Sequence, residues 1–111
     1  MIDAFTAGNG ATRFAPGTHR WRKTPQDTMQ ESKADYDGQE LAIGPAGSLI
    51  IYNGSTWHGH TANRTGRPRR SLQGAFIPLS GQAATDFKGR MAPETRKRLG
   101  PAAQFVIGLH D

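Results

Sequence analysis

Glycine and proline cut this chain into short pieces, and that punctuation constrains its fold more than any other feature. Gly44-Pro45-Ala46-Gly47 and Asn53-Gly54-Ser55 fence off Ser48-Leu49-Ile50-Ile51-Tyr52. A continuous apolar run bounded by glycines and rich in β-branched residues predicts a strand buried on both faces. Upstream, Met1 to Phe5 is a short apolar run with strand character, and Ala7-Gly8-Asn9-Gly10 is turn chemistry. A short strand around Thr12 to Ala15 then meets Pro16-Gly17. Residues 23 to 40 are polar and without clear period, an exposed loop with a little helix. Leu41-Ala42-Ile43 opens the sharper β pattern.

After the polar loop 61 to 68, Arg69 to Ile77 is a long strand candidate. Leu72 and Phe76 fall on one of its faces and Arg69, Ser71 and Gln73 on the other. A polar face on a central-looking strand predicts that it lines a pocket. The remainder turns helical. Ser80 is placed to cap a helix over Ala83 to Arg90, and Pro93 fits the first turn of a helix running to Leu99. Gly100-Pro101 ends that helix, and Gln104 to Leu109 is a last apolar piece suited to docking on a sheet. Short antiparallel-type strands with helices only at the end point to part of a jelly-roll-like β-fold.

Composition narrows the function classes. At 111 residues the chain is the size of one domain, spanning 1–111, with no internal repeat or linker. It has no cysteine, which excludes a disulfide scaffold, a thiolate metal site and a cysteine nucleophile. No run approaches the roughly 18 apolar residues of a membrane span, and the start lacks a signal-peptide pattern. A soluble, cytoplasmic domain that does not engage membranes is the expectation. The net charge of +5 invites a nucleic-acid reading. Yet the basic residues fall into separate clusters, at 20–23, 64–70 and 96–98, and no recognised nucleic-acid motif accompanies them. Solvated faces plus a few arginines with local jobs is the better reading of that charge.

Two groups of residues can carry chemistry. Of the four histidines, His58 and His60 are two apart, so on a strand they point to the same face, and neutral imidazole is a good ligand for iron, zinc, copper or nickel. By itself such a pair often does no more than hydrogen-bond. His19 reads as a loop histidine and His110 as an exposed penultimate residue. Arg69, sharing its strand face with Ser71, offers a planar fork for a carboxylate or phosphate, the alternative being a surface ion pair.

Read as a whole, the string from Gly47 through Trp57-His58-Gly59-His60 to Asn63-Arg64, followed by Arg67-Pro68-Arg69-Arg70-Ser71, resembles the phytanoyl-CoA dioxygenase-like family of iron- and 2-oxoglutarate-dependent oxygenases. A second block in the right order, Asn9-Gly10-Ala11-Thr12-Arg13-Phe14-Ala15-Pro16-Gly17-Thr18-His19-Arg20-Trp21, is similar to that family's NG…PGSH segment. The resemblance implies a mainly β fold, here the C-terminal portion of a double-stranded β-helix (a cupin-like jelly roll), with short C-terminal helices. It implies Fe(II) as cofactor, 2-oxoglutarate as cosubstrate and hydroxylation of a small organic substrate. His58 matches the distal histidine ligand of the iron. Arg69, eleven residues on, matches the arginine that pairs with the far carboxylate of 2-oxoglutarate, with Ser71 beside it.

Two departures accompany the match. His60 stands where the family usually has a small residue. The His-x-Asp pair that supplies the other two ligands is absent from the sequence. The expectation is therefore a fragment, a late start or a degenerate gene product, inactive alone and able to form homo-oligomers through exposed sheet edges. The competing reading is a non-catalytic β-scaffold or interaction module.

Overall fold

The computed structural model describes residues 1–78 and 80–109; the expectation for His110 lies outside them. The chain divides into two compact units, Met1–Ala75 and Phe76 to the C-terminus.

The first unit is organised by β1 (Thr12–Phe14), with β2 (Glu40–Leu41) and β3 (His58–His60) antiparallel on either side. Arg13 stands opposite Leu41 in one pairing and opposite Gly59 in the other; Phe14 faces His58, and Thr12 faces His60. The Pro16-Gly17 turn ends β1, with Gly17 at φ 84° leading into a 3-10 turn over Thr18–Arg20. Fully buried Thr18 then ties this corner together. Its hydroxyl donates to the Ala15 carbonyl at 2.7 Å and accepts from the Trp57 N–H at 2.8 Å, while the Ala15 N–H donates to the Trp57 carbonyl at 2.9 Å. A side chain thus continues the β1–β3 pairing where the ladder stops. Phe5, Ala11, Ala15 and Trp57 make up the apolar core of this unit.

Within the polar 23–40 stretch, α1 (Pro25–Thr28) is the expected trace of helix. Pro25 fits its first turn, and the Asp27 carboxylate reaches back to the Thr24 N–H at 2.7 Å. In the second unit, α2 (Phe87–Arg90), α3 (Pro93–Lys97) and α4 (Pro101–Val106) follow one another. Leu109 is buried there, and its carbonyl accepts from the Arg96 guanidinium at 3.0 Å.

Several expectations are corrected. Ser48–Tyr52 joins no ladder, and Leu49 and Ile51 are 82% and 86% exposed instead of buried on both faces. Arg69–Ile77 likewise joins no ladder, with Leu72 87% exposed. The reason is common to both: an apolar strand is buried only if a layer covers it, and within the first unit no strand lies against Leu49, Ile51 or Leu72. The Met1–Phe5 run contributes one bridge, Phe5 to Gly44, and no strand. The helix expected over Ala83–Arg90 is shorter and is capped by Asp86, which accepts from the Gly89 N–H at 2.8 Å, not by Ser80. Pro101 ends α3 as expected but also starts α4, so the expected apolar piece over Gln104–Leu109 is largely helix. The three-stranded sheet with its short helices does not by itself make the jelly roll that the resemblance implies.

Two outcomes follow from this packing. Thr18→Val leaves the Trp57 N–H without its buried partner and the Ala15 carbonyl with only the long 3.4 Å contact from the residue's own backbone N–H, so it should cost about 1–3 kcal/mol in urea unfolding. The bare apolar face should make the chain self-associate, and Leu49→Lys combined with Leu72→Lys should shift it toward monomer in light scattering after gel filtration.

Candidate functional site

β3 divides its residues by alternation. His58 and His60 share a face with Phe14 and Thr12 of β1, and Gly59 lies opposite Arg13 on the other. His58 is exposed, yet its ring is defined on three sides. Nδ1 lies 2.8 Å from the Thr56 carbonyl, the Phe14 ring stacks at 6.0 Å and the Tyr52 ring sits at 5.1 Å. A carbonyl can only accept, so Nδ1 carries a proton here, and in the neutral tautomer that this contact selects Nε2 holds the lone pair. That is the nitrogen available to a metal. His60 is exposed on the same strand, and His19 is exposed in the 3-10 turn.

Arg69 is half-buried. One terminal nitrogen donates to the Gly10 carbonyl at 2.6 Å, and the guanidinium lies 4.0 Å over the ring of buried Phe5. Its contact with Ser71 Oγ, at 3.5 Å, is too long to be a strong bond, and Nε is buried without a hydrogen-bond partner among the described residues. Gly10 can offer its carbonyl here because it sits at φ 84°, and a Cβ at that position would come within 3.2 Å of the Thr61 carbonyl.

Arg70 and Arg13 are already engaged. Arg70 makes a bidentate pair with Asp3, both contacts at 3.0 Å, and its backbone N–H donates to the same carboxylate at 2.7 Å. The Arg70 side chain holds the Asp3 carboxyl below the usual carboxylate range, with its backbone N–H and charge adding to the effect. Arg13 pairs with Asp35 at 2.6 Å. Among the described residues, Arg69 has no carboxylate partner. Strand parity singles out Arg69 among the four arginines between 64 and 70, and in the structure the distant Asp3 engages Arg70.

The expectation that the Arg69, Ser71 and Gln73 face lines a pocket is not met. Arg69 and Gln73 turn instead to partners at hand: the Gly10 carbonyl takes Arg69, and the Tyr52 hydroxyl accepts from Gln73 at 3.2 Å. The cleft beside β3, about 390 Å³, is lined by Arg13, Tyr36, Trp57, His58 and His60, with the 25–39 loop as its other wall. That loop is pinned. Arg13 also donates to the Lys33 carbonyl at 2.6 Å, and Gln39 donates to Asp35 at 2.8 Å. Trp21, Tyr36 and Trp57 meet edge to face, with centroids 5.2 to 6.4 Å apart. Gly59 leaves room for the Arg13 side chain: a Cβ there would stand 3.3 Å from Arg13 Nε. Arg13 and Tyr52 were missed from sequence, although the placement of Arg13 opposite a glycine and the acid-rich stretch after it were available signals.

No group of three histidine, aspartate or glutamate side chains that could hold a metal comes together among the described residues. His58 fits one position of a two-histidine, one-carboxylate set, and these residues do not complete it.

An antiparallel β corner with one imidazole and one unpaired guanidinium is compatible with an oxygenase site, and sequence comparison is specific. The phytanoyl-CoA dioxygenase family profile matches residues 1–71, and the chain belongs to that family. Membership implies a cupin-like fold; the described residues form a three-stranded antiparallel sheet and short helices. The chain is 35% identical over 109 residues to "Dioxygenase trt7" of Aspergillus terreus, covering 96% of this chain and 35% of the relative. It is 34% identical over 108 residues to "Dioxygenase andF" of Emericella variicolor, covering 97% and 35%. With "Dioxygenase FrzG" of Cladobotryum sp it shares 39% identity over 84 residues, covering 68% and 26%. The chain thus spans about a third of the length of the first two relatives. No solved structure matches it significantly. Among the described residues no helix is long and apolar enough to cross a membrane.

Hydrogen bonds from Gln39 and then Arg13 hold the Asp35 carboxyl below its ordinary range. A carboxylate so depressed adds stability above its unfolded pKa and loses it as pH falls through the folded value. The group is exposed, so the effect is small. The stability gap between the natural chain and Asp35→Asn should be present at neutral pH and close below about pH 4, as read from urea midpoints across a pH series.

Proposed function

We propose that this chain carries one iron ligand and the cosubstrate anchor of an Fe(II)- and 2-oxoglutarate-dependent dioxygenase acting on a small organic substrate. The observation that carries the reading is Arg69: a half-buried guanidinium with an unpartnered Nε, beside an Arg70 that Asp3 already satisfies. A planar fork in that state suits one end of a dicarboxylate, and Phe5 and the Gly10 carbonyl fix its plane. Ser71 stands close enough to add a hydroxyl contact. His58 supports the same reading through its free Nε2. The remaining metal donors lie outside the set these residues supply, either in further polypeptide or in a second copy.

A catalytically silent β-module is the second reading, and the incomplete donor set favours it. Calorimetric titration with 2-oxoglutarate separates the two. Binding should weaken about tenfold or more in Arg69→Ala, the loss of a charged hydrogen-bonded pair, and change little in Arg70→Ala. Anaerobic addition of Fe(II) then tests the ligand: charge-transfer absorption of a chelated complex should disappear in His58→Ala. Binding that ignores Arg69 overturns the anchor, absorption that survives His58→Ala overturns the ligand, and a folded chain that binds no 2-oxoglutarate favours the silent module.

A further inference from the structure

We propose that Tyr52, tethered by Gln73, is a positioning residue that decides which nitrogen of His58 faces outward. His58 is exposed on a three-residue strand, where an imidazole would ordinarily flip between two orientations. Two aromatic rings work against the flip. Phe14 stacks on the imidazole with 25° between planes, Tyr52 leans on it at 60°, and the two rings meet each other at 4.7 Å. Within that wedge, Nδ1 is directed to the Thr56 carbonyl.

Phe14 is held by the β1 ladder, but Tyr52 is not in any strand. What fixes Tyr52 is at its far end. The Gln73 amide donates to its hydroxyl across 21 residues of chain. Gln73 lies four residues beyond Arg69 in the same segment, with Ser71 between them. The segment that carries the unpaired guanidinium therefore also steadies the ring that steadies His58. The chemical importance of this role rests on the proposed metal-ligand function of His58, whereas the positioning itself can be read without any metal.

The test uses the full chain labelled with 15N-histidine, in alkaline buffer where imidazole is neutral, and reads the tautomer of each ring by long-range nitrogen–proton correlation. His58 should populate mainly the Nδ1–H form. Gln73→Leu and Tyr52→Phe should each lower the ratio of Nδ1–H to Nε2–H by roughly fivefold, the worth of one modest hydrogen bond. Because both remove the same tether, the double variant should add nothing further. His60, on the same strand but outside the wedge, should not change. Gln73 is exposed, so its variant should fold, and unshifted indole signals from Trp57 would verify that. An unchanged His58 ratio in folded Gln73→Leu, or additive effects in the double variant, overturns the proposal. A tautomer shift in a chain whose Fe(II) binding ignores His58 upholds the positioning role and removes only the metal-ligand reading.

Discussion

The first unit depends on one buried hydroxyl. Thr18 sits at the point where the β1–β3 ladder runs out, and its Oγ both donates and accepts, joining Ala15 to Trp57. No apolar side chain of that size could do this, because the buried Trp57 N–H would be left unmatched and the Ala15 carbonyl would keep only a long contact from the backbone N–H of residue 18. With Trp57 fixed, the residues on either side of it are fixed as well: His58 enters β3 facing Phe14, and the Trp57 indole reaches the Lys23 carbonyl at 3.0 Å to hold the start of the 23–40 loop. The candidate ligand and the wall of the cleft are thus set by the same corner.

Around that corner, the arginines are sorted by which carboxylates the fold brings to them. Asp3 takes Arg70, Asp35 takes Arg13, and Arg69 is left to a backbone carbonyl and an aromatic face. The sorting leaves Arg69 with no carboxylate at ion-pair distance among the described residues. A carboxylate ligand reaching Arg69 would not first have to displace an ion pair, and desolvation of Nε has already occurred on folding.

What could be read from sequence follows the range of the interactions involved. β1, the turn after it and the polar character of the 23–40 stretch are local, written in alternation and in Pro16-Gly17. The apolar pattern of Ser48–Tyr52 describes a covering neighbour, and no strand of the first unit supplies one. Pro101 is both a stop for α3 and the start of α4, since proline serves a helix start equally well. At the site, parity was enough to set Arg69 apart from the other arginines of its cluster. The Asp3–Arg70 and Gln73–Tyr52 contacts, 67 and 21 residues apart, have no local signature. Family resemblance reached the right family because two blocks kept their order, and the comparison over residues 1–71 agrees with it.

Gly59 has a significance beyond its strand. Its missing side chain is the clearance through which Arg13 crosses β3 to reach the 33–39 loop. A single methyl at that position would act as a spacer, lifting the guanidinium and with it the segment bearing Tyr36. Gly59 and Arg13 both line the cleft beside His58, so a side chain added at residue 59 would adjust that wall by a few tenths of an ångström without any change to the residues on the loop side.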